Sequence, residues 1–153
     1  MRLVKFTLFT AVLATIFSCS GVEEDKLPEN VIKDDGGLVI ELEWSTGGSV
    51  SQAQADADLE LFLFKGDTEV DASVNYASFE QVELKDIYAD DKYLITVEYY
   101  SGEVAVDYTI YVRGESTSES ITYTGSFLST DKGLIVEYLE IEKSGDEYAI
   151  TDL

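Results

Sequence analysis

The sequence predicts an all-β fold: a two-sheet antiparallel β-sandwich, of jelly-roll or Ig-like kind, with eight or nine strands. Three observations carry that expectation. From Gly37 onward apolar side chains recur with period two, the spacing that lines one face of a half-buried strand. The apolar stretches are short and separated by Gly, Ser and Asp turn signals. No convincing helical stripe follows residue 18. So many short strands in about 115 residues fit two packed sheets around one core.

Residues 1–18 stand apart from that domain. They read MRLVKFTLFTAVLATIFS, carry no acid, and open with Arg2 and Lys5. Phe6 to Phe17 is an apolar run of 12 residues. A helix needs about 20 residues to cross a hydrocarbon core, so this run has the length of a secretory signal instead. The only cysteine, Cys19, follows at once. Ile16-Phe17-Ser18-Cys19 resembles the bacterial lipoprotein signature of an aliphatic, a variable and a small residue before cysteine. The resemblance implies cleavage before Cys19 and acylation of its thiol, which anchors the mature chain to a membrane. Loss of Arg2 and Lys5 leaves 8 basic against 31 acidic side chains, a net charge of −23.

Residues 19–37 read as an acidic, flexible tether with the only proline, Pro28. Glu23, Glu24 and Asp25 resemble the acidic export signal of Bacteroidota surface lipoproteins, which implies an outer-membrane protein displayed on the cell surface.

The sandwich domain is expected over 38–153. In Leu38–Ser45, Ile40, Leu42 and Trp44 share a face opposite Glu41 and Glu43. The segment after Ser45 reads as a Gly/Ser loop. In Ala57–Lys65, Leu59, Leu61 and Leu63 take one face, while Phe62 and Phe64 make the second face apolar too; this strand is expected to be central, or covered on that side. Shorter strands are expected at Val70–Val74, Phe79–Leu84 and Glu119–Gly125. Lys92–Tyr100 and Glu103–Arg113 flank Ser101-Gly102 and are expected to form a hairpin, with Val97 opposite Val106 and Ile95 opposite Tyr108. A second hairpin is expected around Ser144-Gly145, with Ile141 opposite Tyr148 and Leu139 opposite Ile150. The apolar phase switches between Tyr138 and Leu139, which predicts a β-bulge or a bend there.

Ile40-Glu41-Leu42-Glu43-Trp44, Asp58-Leu59-Glu60-Leu61, Phe79-Glu80 and the Tyr93 to Tyr100 segment resemble the strand order of bacterial prepeptidase C-terminal-like sandwich domains. The resemblance spans roughly residues 38–113, with Glu60 in place of the second Asp of the family's Asp-Leu-Asp-Leu strand. It implies a non-catalytic accessory module, in a family with carbohydrate-binding and calcium-binding members.

Composition narrows the chemistry. A formal charge of −21 from 31 acidic and 10 basic side chains argues against nucleic acid, whose phosphates call for clustered Lys and Arg. Zero histidine removes the Ser-His-Asp and Cys-His forms of nucleophilic catalysis. No enzyme activity is expected. Calcium, which wants six to eight oxygens, has candidate ligands in Asp56, Asp58 and Glu60, spaced i, i+2, i+4, and in the loop acids Asp90 and Asp91; Asp34, Asp35 and Asp67 are further loop acids. A strongly acidic chain also scatters carboxylates over its solvated face. Tyr88, Tyr100 and Tyr111 are expected outward or at loop tips, where a ring face can stack on a sugar or a protein partner; Trp44, Tyr93, Tyr99 and Tyr108 have core parity. The expectation is therefore a lipid-anchored, non-catalytic envelope protein that binds an unidentified protein, or else a carbohydrate-binding module, with or without the assistance of calcium.

Overall fold

The computed structural model describes residues 27–153. Cys19, Glu23, Glu24 and Asp25 lie outside the described residues. Among those described, the chain forms β1 (Val31–Lys33), β2 (Gly37–Ser45), α1 (Val50–Asp56), β3 (Ala57–Lys65), β4 (Thr68–Ser73), β5 (Phe79–Lys85), β6 (Asp91–Gly102), β7 (Val106–Gly114), β8 (Ser120–Phe127), β9 (Ile135–Ser144) and β10 (Glu147–Asp152). Two antiparallel sheets result, a six-stranded one in the order β1-β10-β9-β6-β3-β4 and a four-stranded one in the order β5-β2-β7-β8. The β-sandwich expected from the period-two pattern is the fold, with ten strands rather than eight or nine.

The core lies between the sheets and is built from the predicted parities. Leu59, Leu61 and Leu63 of β3, and Ile95, Val97 and Tyr99 of β6, face inward from the larger sheet. Ile40, Leu42 and Trp44 of β2, with Tyr108, Ile110 and Val112 of β7, face them from the smaller one. The Trp44 indole N–H donates to the Ala57 carbonyl at 3.3 Å, so the ring is buried with its one polar atom satisfied.

The partner of β6 differs from expectation. β6 and β7 do not pair: β6 lies between β3 and β9, and β7 between β2 and β8. Alternation specifies which face of a strand is buried, not which strand lies beside it, and two apolar faces bury one another equally well across a sandwich. Ser101 and Gly102 are not a turn either. They continue β6 opposite Asp58 and Ala57, and the chain then crosses to the other sheet. The Tyr99 hydroxyl braces that crossover, donating to the Val104 carbonyl at 2.8 Å and accepting the Val104 amide at 3.3 Å. The Tyr93 to Tyr100 segment, one of those that resemble the prepeptidase C-terminal-like domains, is thus not part of a hairpin with β7.

Three smaller differences follow from local physics. The Gly/Ser loop contains α1, a seven-residue helix whose first turn is capped by the Ser49 hydroxyl accepting the Gln52 amide. Residues 31–33, read as tether, form β1 and pair with β10, with Ile32 buried beneath. The final hairpin is real, but Gly145 and Asp146 form its turn, so Ile150 opposes Ile141 and Tyr148 opposes Lys143. Gly145 adopts φ of 63°, the left-handed conformation that a two-residue hairpin turn asks of its first central residue, and this fixes the two-residue shift. The expected bulge is present. Ile95 pairs with Leu139 and Thr96 with Glu137, which leaves Tyr138 as the extra residue.

Candidate functional site

The predicted calcium ligands are not brought together. Asp56 ends α1 and accepts the Thr46 hydroxyl at 3.2 Å. Asp58 and Glu60 lie on the outer side of β3, with opposite parity to its buried leucines. Asp90 and Asp91 sit at the far end of β6. Asp58 opposes Ser101, so Asp91 is ten residues further along that strand, about 30 Å at ~3.3 Å per residue. They have other work. Asp90 accepts the Gly145 amide at 2.8 Å and the Lys143 ammonium at 3.2 Å, and Asp91 pairs with Lys65 at 3.1 Å. Among the described residues, no three acidic or thiol side chains are grouped to hold a metal ion.

The loop acid Asp34 is buried and acts as a staple. One carboxylate oxygen accepts the Gly36 and Gly37 amides at 2.8 and 3.1 Å; the other accepts Ser116 and Thr117 at 2.9 and 2.7 Å. It thereby ties the β1–β2 turn to the β7–β8 turn. Burial pushes its pKa up, but the hydrogen bonds from Gly36, Thr117 and Ser116 outweigh that and hold it below 3.8. A Cβ at Gly114 would stand 2.3 Å from this carboxylate, so only glycine fits there. Glu80 is fully buried and serves similarly between the sheet edges, accepting the Ser73 hydroxyl and the Asn75 amide.

The three tyrosines are dispersed. Tyr88 packs against the core in the β5–β6 connection. Tyr100 is exposed near the end of β6. Tyr111 is half-buried on β7, beside Glu41 and Thr122 in the four-stranded sheet.

The aromatic surface the fold does assemble is the one that broke alternation in β3. Phe62 and Phe64 project from the outer face of the six-stranded sheet, their rings 6.1 Å apart with 30° between planes. Register builds three rows across this face. Ala72, Phe62, Thr96 and Glu137 form the central one. Glu60, Glu98 and Ile135 form the row on one side, and Glu69, Phe64, Leu94 and Glu140 the row on the other. Phe62, Phe64, Thr96, Glu98, Ile135 and Glu137 line a shallow depression of about 450 Å³. Ile135 is 56% exposed. Thr96 is 4% exposed, and its hydroxyl has no hydrogen-bond partner.

Carboxylates rim the depression, and the cation of the neighbouring row, Lys92, is taken up by Glu140 at 2.6 Å. Glu60 and Glu98 stand directly opposite one another. Burial first, then the charges of Glu98, Asp58 and Glu80, raise the Glu60 pKa above 4.5. Burial and Glu80 likewise raise Asp58, one of whose carboxylate oxygens is buried without a partner. Among the described residues, none of Glu60, Glu98 or Glu137 has a Lys or Arg within ion-pair distance. On the outer face of the four-stranded sheet Arg113 grips Glu41 through two hydrogen bonds of 2.7 and 3.0 Å.

No family model, curated protein or solved structure matches this chain.

Proposed function

We propose that this protein is a non-catalytic, lipid-anchored envelope protein displayed on the cell surface, whose β-sandwich docks a protein partner on the outer face of its six-stranded sheet. The accessory-module role implied by the prepeptidase-like strand order belongs to the same reading. One observation carries it: half-buried Phe62 and Phe64 and exposed Ile135 line an apolar depression on that face. A strand apolar on both sides is normally covered on both. An exposed apolar patch within a polar rim marks an interaction surface. The lipid anchor rests on Cys19, placed directly after an acid-free apolar segment.

Two experiments test the halves separately. A Cys19→Ala chain should incorporate no labelled fatty acid and should leave the membrane fraction; normal retention refutes the anchor. For docking, a photo-crosslinking amino acid is placed at Ile135, or at Thr122 on the smaller sheet, in living cells. Adducts at 135 and none at 122 support the reading. Equal yields at both positions contradict it.

The competing occupant is a glycan, because ring faces such as those of Phe62 and Phe64 also stack on sugars. Binding on a glycan array that is abolished by Phe62→Ser would select that alternative.

A further inference from the structure

We propose that the outer face of the six-stranded sheet takes a cationic segment of its protein partner, with the aliphatic stems of Lys or Arg over Phe62 and Phe64 and their charged ends at Glu60, Glu98 and Glu137. The inference rests on the docking reading above and adds the partner's chemistry.

Charge selects the occupant. An apolar centre alone would accept any hydrophobic strand. Here the charged side chains lining the depression, Glu98 and Glu137, are carboxylates, as is Glu60 opposite Glu98, and none of the three is ion-paired among the described residues; Lys92, on the same face, is held by Glu140 at 2.6 Å. A second copy of the mature chain, at −23, brings the same sign. So does the chain's own tether, with Glu23, Glu24 and Asp25. Both would press like charges together, a cost that separates partners. A Lys or Arg segment removes the repulsion between Glu60 and Glu98 instead, and the raised Glu60 pKa reports that repulsion, after burial. Long basic side chains suit the geometry: their methylene stems cover apolar surface while the charge stays at the rim, and a cation can settle over a phenyl face. Thr96 sits in the central row between Phe62 and Glu137, more than nine-tenths buried. Its hydroxyl is buried without a hydrogen-bond partner, an unsatisfied polar atom in the lining of the depression.

The test uses the full chain in non-ionic detergent and three fluorescent peptides of equal length: alternating Lys and Leu, its Glu and Leu counterpart, and alternating Lys and Gly. Protein-free micelles set the baseline. The Lys-Leu peptide should bind at least about tenfold more tightly than either other peptide, and should weaken as salt rises. Ile135→Ser and Phe62→Ser should each weaken it about tenfold, as should the double change Glu98→Gln with Glu137→Gln. Ile135 is exposed, so its variant should keep the wild-type melting temperature. Glu43→Gln with Asp107→Asn removes the same charge from the smaller sheet and should change nothing. A Glu-Leu peptide binding as tightly as Lys-Leu overturns the proposal. Equal losses from the two charge-removal pairs overturn it as well, because binding would then follow bulk charge alone. If peptides show no charge preference while crosslinks still form at 135, the cationic partner fails and docking stands. If crosslinks fail too, both fall.

Discussion

At the scale of single residues, the acids of this chain divide into two kinds that look alike in sequence. Asp34 was legible only as one more loop acid. Its four backbone donors include Ser116 and Thr117, more than 80 residues away, and such an approach leaves no local signature. Replacing it by Asn puts an NH2 group against two amide donors. Asp34→Asn should cost about 2–3 kcal/mol in urea unfolding at neutral pH. Because its folded pKa lies below 3.8, the carboxylate's contribution is complete above the unfolded value and is lost as pH falls through the folded one. The gap between wild type and variant should therefore be full at pH 7 and close below 3.8. Glu60 behaves oppositely. Its folded pKa is raised, so its charge costs stability once ionised. Glu60→Gln should stabilise the fold at pH 7 by about 0.5–1 kcal/mol, the scale of one half-exposed like-charge pair. The gain should vanish below pH 4.5, where both states hold the proton.

At the scale of elements, the sequence shows which side of each strand is buried, and shows it well. Tyr93, Tyr99 and Tyr108, the leucines of β3 and the inward positions of β2 are all in the core. The bulge at Tyr138 was legible because it changes the alternation itself. Strand partnership was not, because Val97 is buried equally well beside Leu61 or beside Val106. Nor was α1, whose signal is a single Ser49 cap before a run of only seven residues. Backbone NMR decides the pairing. Cross-strand contacts between Leu61 and Val97 are expected, with none between the backbones of Val97 and Val106. Close contacts of that second kind would restore the hairpin and overturn the order β9-β6-β3 in the larger sheet.

At the scale of the molecule, the two outer faces are unlike, and the sequence hinted at why. Phe62 and Phe64 break alternation in β3, which on a sequence reading means a covered or central strand. In the fold β3 is an interior strand between β6 and the edge strand β4, and its aromatic side is half-buried, without a covering layer among the described residues. The depression was invisible beforehand because its lining comes from β3, β6 and β9, and alternation alone does not say that these three strands are neighbours. The smaller sheet instead presents Thr122 and the Arg113–Glu41 pair. If the larger sheet's face is the docking surface of a displayed lipoprotein, it is shielded in the cell while the other is open. Single-cysteine labelling tests this directly, since Cys19 is the only native cysteine and its thiol is blocked when acylated. Ile135→Cys and Thr122→Cys chains are treated with a membrane-impermeant maleimide, in intact cells and after purification. Both should label when purified. In cells, Cys at position 122 should label and Cys at 135 should stay protected. Equal labelling of the two positions on intact cells would contradict docking on the larger sheet.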